Sequence, residues 1–387
     1  MNAEFWAGKR VFITGHTGFK GGWLALWLNS LGATVKGYAL EPSTEPSLFE
    51  LARISETCDS QIDDIRDRQV LARSMADFKP DVVFHLAAQP LVRLSYDEPV
   101  TTFETNVLGT VNLLEAVRSC SSVAAVVIVT SDKCYLNREW HWGYREHESL
   151  GGHDPYSASK ACAELVTQAW RLSYLGVNGQ DGRQCSVATA RAGNVIGGGD
   201  WSADRLVPDI LRDLAEKKPI VVRNPLAIRP WQHVLEPLAG YLMLAERLIV
   251  DGESWADSWN FGPREDSAKT VEWIVESLIG YWPGGGQWQL DGSKQPHEAH
   301  YLKLDCAKAN DRLGWRPVWS LDDSLEKIVR WQTAWLDGGD MQSHSLQAIA
   351  EFRADAGLLL SKPAMSGKTP AAQAANATAS SMDGEPV

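Results

Sequence analysis

The sequence predicts an α/β fold: a doubly wound parallel sheet with a smaller, chain-interleaved C-terminal domain. Strand and helix signals alternate through the first half, the pattern of βαβ units. Two of the strands read as unbroken apolar runs, which suits burial on both faces. The first strand runs into a glycine loop and then a helix.

Taken in order, Arg10–Thr14 (RVFIT) is the strand that ends at the loop. Trp23–Leu31 is apolar on most faces, which predicts a well-buried helix. Thr34–Leu40 is a second strand. Asp81–Leu86 (DVVFHL) and Ala124–Thr130 (AAVVIVT) are the apolar runs, with helical spacing at Val107–Val117 between them. After Gly193 the rhythm weakens. Gly197, Gly198 and Gly199 mark a loop, followed by a helix at Leu206–Glu216, a strand at Ile220–Arg223 and a long helix near Glu236–Ile249. Trp259–Gly262 reads as a short strand, and Leu321–Leu336 as the last ordered helix. Beyond about Ser361 large apolar residues are few, so residues 361–387 are expected to be disordered.

At 387 residues, 44% hydrophobic and 22% charged, the composition is that of an ordinary globular protein. A net charge of −12 disfavours nucleic acid, although a local arginine cluster can still hold a small anion. The six cysteines form no C-x-x-C pair and no zinc-ligand spacing, which predicts reduced thiols in a cytoplasmic protein and no metal. Met1–Arg10 is polar, and no apolar run approaches the roughly 20 residues that span a bilayer. Packing is the one physical role the pattern offers for the 17 tryptophans.

The loop after the first strand is Thr14-Gly15-His16-Thr17-Gly18-Phe19-Lys20-Gly21, a G-x-x-G-x-x-G pattern. Glycines let a backbone turn sharply and approach a pyrophosphate, and the helix that follows offers unpaired N–H groups. The wider first spacing resembles the short-chain dehydrogenase/reductase superfamily. That resemblance implies a Rossmann-type domain and NAD, with Gly15, Thr17, Gly18, Phe19, Lys20 and Gly21 at the cofactor. It also implies that Asp64 and Ile65 bracket adenine and that Leu86, Ala87, Ala88 and Gln89 line the cofactor's path. No acid sits squarely at the end of the second strand, where ribose is usually held; Glu41 lies just beyond, and no arginine is there to favour NADP.

Tyr156 and Lys160 are spaced i, i+4, so a helix puts them on one face. An ammonium beside a phenol lowers its pKa and makes it a base for a sugar hydroxyl. Alone, the spacing is equally that of a surface pair. The strand before them ends in Thr130-Ser131-Asp132-Lys133, and active sites of such sheets gather at strand C-termini. Asp132 reads either as a turn residue or as an acid. Nucleotide-sugar 4,6-dehydratases typically carry Asp-Glu here, and the Asp-Lys form resembles their CDP-glucose branch. The resemblance implies that Tyr156, helped by Lys160 and Ser131, takes the 4-hydroxyl proton, that Asp132 expels the 6-hydroxyl as water, and that Lys133 or another group removes the C5 proton. It also sets Thr130, Tyr156 and Lys160 against NAD.

Two later blocks, Arg191–Trp201 and Ala227–Val234, resemble the same enzymes. They imply substrate contacts from Asn194, Arg205 and Arg229, together with Gln89 and Ser131. Each arginine is also readable as a surface ion pair. The expected division is 1–192, with a returning segment at about 226–262, for the NAD domain, and 193–225 with 263–338 for the nucleotide-sugar domain. A homodimer or homotetramer is implied, pairing through helices near Thr105–Arg118 and Tyr156–Leu175. The alternatives are a 4-epimerase, a dehydratase for another nucleotide-activated glucose, or a non-catalytic dinucleotide sensor.

Overall fold

The computed structural model describes residues 2–176, 184–291 and 302–361. The predicted disordered tail lies, beyond its first residue, outside the described residues.

The strands in chain order are β1 (Arg10–Thr14), β2 (Thr34–Ala39), β3 (Asp59–Ile62), β4 (Val82–His85), β5 (Ala125–Val129), β6 (Ser186–Ala192), β7 (Asn194–Ile196), β8 (Ile220–Val222), β9 (Ile228–His233), β10 (Ser258–Phe261), β11 (Ala268–Thr270) and β12 (Trp288–Leu290). Seven of them form one sheet in the order β10-β6-β5-β4-β1-β2-β3, and every pairing in it is parallel. β4 and β5 are buried along their whole length, as their apolar runs predict. The strand order reverses between β1 and β4, which opens a crevice at their C-terminal ends.

β7, β9 and β11 form a second sheet, and β8 pairs with β12. A separate apolar cluster lies here, with Val207, Ile210, Leu214, Ile274, Leu278, Leu325 and Ile328 buried together. Residues 228–233 correct the expected division. They pair with β7 and β11, not with the large sheet, because Trp231 packs into this second cluster. The returning segment starts one element later, at the helix Leu235–Val250.

Leu321–Leu336 is not the last helix. Met341–Ser361 follows it, with Met341, Ser345, Ile349 and Phe352 buried at helical spacing. Phe352 meets Trp27 edge-on at 5.6 Å and Trp319 at 5.0 Å. Tryptophans also hold the glycine loop 197–199. Trp23 Nε1 donates to the Gly198 carbonyl at 2.9 Å, and a side chain on Gly198 would put its Cβ 2.3 Å from the Trp331 ring. Trp331 in turn donates to Ser345 Oγ at 3.0 Å.

Burial holds His16, His85 and His233 at pKa values of about 4, 3 and 3, below the ordinary 6.5. Their folded pKa is depressed, so an unfolded chain takes up protons that the native state refuses. The stability they contribute is complete above pH 6.5 and is lost as the pH falls toward 4. Each pH unit between 6.5 and the folded pKa costs up to about 1.4 kcal/mol per imidazole. Glu236, raised to about 8, works in the opposite sense, but it is one group against three. The melting temperature is expected to drop by several degrees between about pH 7.5 and about pH 5. A flat profile by scanning fluorimetry would show that these imidazoles titrate normally.

Candidate active site

Gly15 follows β1 with φ +81°, and its N–H donates to the Tyr38 carbonyl at 2.9 Å. A Cβ here would stand 2.7 Å from the Ala87 nitrogen and 2.9 Å from the Leu86 carbonyl carbon. Loop and 86–88 segment therefore touch backbone to backbone, across the crevice between β1 and β4. Thr14 Oγ1 accepts from the Leu86 and Ala87 N–H groups, both at 3.2 Å, and bonds His85 Nδ1 at 2.7 Å. Gly18 caps the helix Phe19–Ser30, and a Cβ there would meet the Gly15 carbonyl oxygen at 3.4 Å. A helix N-terminus in this position presents backbone N–H groups that suit a pyrophosphate. Thr17 Oγ1 donates to Leu40 O at 2.8 Å and braces the loop.

Asp64 and Ile65 lie beyond β3. The Asp64 carboxylate is held by Arg66, at 2.6 and 2.8 Å, which keeps its pKa low. Ile65 is buried against Gly109. Gln89, expected at cofactor and substrate, follows β4. Its amide donates to Thr102 Oγ1 at 2.9 Å and Leu91 O at 3.0 Å, and its carbonyl accepts from Leu91 N at 2.5 Å. These bonds tie the side chain to Leu91 and to the helix Pro99–Phe103. Asn106 was not foreseen: its Nδ2 donates to Gln89 O at 3.1 Å and Ser159 Oγ at 2.9 Å, tying that loop to the catalytic helix.

That helix, Pro155–Trp170, starts where it does because Asp154 accepts from Ser157 N and Oγ, at 2.9 and 2.6 Å, with Pro155 at its first position. It sets Tyr156 and Lys160 one turn apart, both nearly buried. The predicted lowering of the phenol is reversed: burial raises it to about 12, against a hydrogen bond with Ser131. Removal from water outweighs the neighbouring charges. Burial also brings the Lys160 ammonium down to about 8.

β5 delivers Thr130 and Ser131, and a single 3-10 turn delivers Asp132 and Lys133. Ser131 Oγ donates to Asp132 Oδ1 at 3.0 Å. Burial raises the Asp132 pKa, opposed by Lys133, Ser131 and Lys20. Lys20, expected at the cofactor, also reaches this cluster. Burial lowers it to about 7, with Arg205 and Lys160 adding to the fall and Asp132 and Asp200 opposing it. Gly193 makes room for the acid, since a Cβ there would stand 2.9 Å from Asp132 Oδ2.

Asn194 begins β7, directly after Gly193. Arg205 donates to Asp200 Oδ2 at 2.9 Å and lies close enough to influence Tyr156 and Lys20. Arg229 stands on β9, where one of its hydrogen bonds is to the Ile228 carbonyl at 3.0 Å. The structure thus gathers Lys20, Ser131, Asp132, Lys133, Tyr156, Lys160 and Arg205, and sets Arg229 in the smaller sheet.

Among known proteins, a CDP-glucose 4,6-dehydratase of Salmonella typhimurium is 56% identical over 352 residues, 91% of this chain and 98% of that protein. A dTDP-glucose 4,6-dehydratase of Neisseria meningitidis is 27% identical, covering 84% of this chain and 93% of the relative. Among solved structures, a UDP-glucose 4-epimerase of Stenotrophomonas maltophila superposes with TM-score 0.74 at 21% identity, over 86% of this chain and 100% of that one. A dTDP-glucose 4,6-dehydratase double mutant of Streptomyces venezuelae superposes with TM-score 0.70 at 22% identity, over 86% and 99%. At such identities the superpositions speak for the fold alone. The family model described as GDP-mannose 4,6 dehydratase matches residues 12–328, and the chain belongs to that family.

Proposed function

We propose that this chain converts CDP-glucose to CDP-4-keto-6-deoxyglucose and water, with NAD held across the glycine loop. The observation that carries the reading is Asp132, a buried carboxyl that stands beside the Tyr156–Lys160 pair and whose pKa burial raises. A 4-epimerase has no use for a second proton donor there. The choice of cytidine is supported by the Salmonella relative.

Gly15, Thr17, Gly18 and the first turn of Phe19–Ser30 would hold the NAD pyrophosphate, and bound NAD would accept hydride from C4 and return it to C6. Tyr156 takes the 4-hydroxyl proton, with Ser131 and Lys160 placing it. A ketone at C4 then acidifies the C5 hydrogen. Asp132 protonates the 6-hydroxyl as it leaves. Two amines border Asp132 and can take the C5 proton, then return it to C5 as hydride adds at C6: Lys133, its neighbour in sequence, and Lys20, held at about 7.

The test is mass spectrometry of CDP-, UDP-, GDP- and dTDP-glucose incubated with protein and NAD. Loss of one water from CDP-glucose alone is expected. An unchanged mass with a new 4-epimer by NMR would replace the reading. Gly193→Ala is expected to slow water loss between about ten- and a hundredfold by displacing the Asp132 carboxyl, with little change in melting temperature. An unaltered rate would mean that the carboxyl's position does not matter.

The same reading includes a cytoplasmic homodimer. Val100, Leu108, Leu165 and Leu172 are 69, 55, 53 and 67% exposed, on the helical stretches 99–108 and 155–175. A second copy would cover them. Light scattering at the monomer mass would refute that pairing.

A further inference from the structure

Below the Tyr156–Lys160 pair lies a buried ion pair that the chemistry above does not use. Glu164 is one turn beyond Lys160 and 3% exposed; Arg191, on β6, is 2% exposed. Arg191 grips the carboxylate with a fork, Nε to Oε1 at 2.9 Å and Nη2 to Oε2 at 2.7 Å. Glu164 also accepts from Thr130 Oγ1 at 2.5 Å, Thr189 Oγ1 at 2.7 Å and Ser258 Oγ at 3.3 Å. The guanidinium donates onward to Tyr135 Oη at 2.7 Å and Glu146 O at 2.9 Å. Helix 155–170 is thereby tied to the ends of β5 and β6 and the start of β10.

Stability does not account for this pair. Two charges withdrawn from water recover their solvation cost only with good geometry, and apolar residues of the same volume often do as well. What apolar residues would not supply is a negative charge one helical turn from Lys160. The Lys160 ammonium is itself buried, with a single hydrogen bond described, to Val129 O at 3.5 Å. Around it stand Glu164 on its own helix, Cys134 after β5, His85 on β4 and Lys20 on the helix after β1. His85 is neutral, Burial keeps Cys134 protonated, and Lys20 repels it. Arg191 and Arg171 face Glu164. Glu164 is therefore the one anion that favours the charged Lys160 among these neighbours.

We propose that Glu164, locked by Arg191, is a positioning residue for the Tyr156–Lys160 pair and the buried counter-charge of Lys160. Through Thr130 it also fixes the strand end that carries Ser131 and Asp132. The kinetic part of the test rests on the dehydratase reading; the spectroscopic part does not.

The variant is the double replacement Glu164→Gln/Arg191→Met, which removes both charges and leaves neither unpaired. Glu164→Asp keeps the charge. Lysine side chains labelled with carbon-13 at Cε report ionisation by NMR without substrate, with Lys160 assigned through Lys160→Met. The Lys160 midpoint is expected to fall by about one pH unit in the double variant and to stay near wild type in Glu164→Asp. In turnover, a less charged Lys160 supports the phenolate less. The acid limb of kcat/KM then moves to higher pH and the alkaline limb to lower pH, so the bell narrows. An unmoved Lys160 midpoint, or a uniform fall in rate with an unshifted profile, would overturn the proposal. Should the double variant not fold, the wild type still decides: a Lys160 midpoint below neutrality shows that Glu164 does not hold the charge. A shifted midpoint in a protein that turns over no sugar nucleotide would sink the dehydratase reading and leave this one standing.

Discussion

Replacing Tyr156 by phenylalanine is expected to lower turnover by about a hundred- to ten-thousandfold, the range for loss of a positioned proton-transfer group. The substitution removes one oxygen and leaves the ring, the helix and the Ser95 Oγ contact to the Tyr156 N–H, at 3.2 Å, in place. Melting temperature and NAD affinity should therefore change little. Burial raises the phenol to about 12. In the proposed reaction it would give up its proton where a bound sugar and the Lys160 ammonium favour the phenolate. Measured by mass spectrometry of the sugar nucleotide, a rate within a few fold of wild type would remove Tyr156 from the chemistry.

Asp132→Asn separates the reaction into halves. The amide is isosteric, fits beside Gly193 and keeps a hydrogen bond to Ser131, but it has no proton to give. Oxidation at C4 should persist while water loss falls by about a hundred- to ten-thousandfold. The ketone retained in this variant can be trapped by quenching with sodium borodeuteride, which leaves one deuterium at C4 on a sugar that still carries its 6-hydroxyl. Burial pushes the Asp132 carboxyl up, so in the wild type it keeps its proton to higher pH than an exposed carboxyl, and elimination should slow as the pH rises past that point. Trapped ketone in the wild type and none in the variant would assign Asp132 to the first half instead.

The parts of this fold legible in sequence are those that repeat locally. The apolar runs of β4 and β5 announce burial on both faces, and the glycine spacing marks the loop after β1. The i, i+4 rule brings Tyr156 and Lys160 together within one helix. What the sequence hides is long-range polar pairing. β6 reads SVATARA, with polar residues at three of its seven positions, yet all seven are buried. Arg191 can be there only because Glu164, 27 residues earlier, meets it. Asn106 and His85 escape notice for the same reason: their partners lie on other elements. The bonds of the Gln89 amide to Thr102 and Leu91, 13 and 2 residues on, are hidden in the same way. The helix Met341–Ser361 did carry a signal, apolar or small residues at 341, 345, 349 and 352, but its many polar neighbours obscured it.

The tryptophans that seat the 197–199 loop have a bearing on how the protein is made. Trp23 is translated before the loop, but Trp331, against which Gly198 lies, and Ser345, to which Trp331 donates, come well after it. A ribosome delivers the large sheet well before it delivers the wall behind Gly198. The loop bearing Asn194, Asp200 and Arg205 thus takes its final seat only after residue 345 has been made, and a nascent chain stalled before residue 331 carries Asp132, Tyr156 and Lys160 without the tryptophan wall behind that loop.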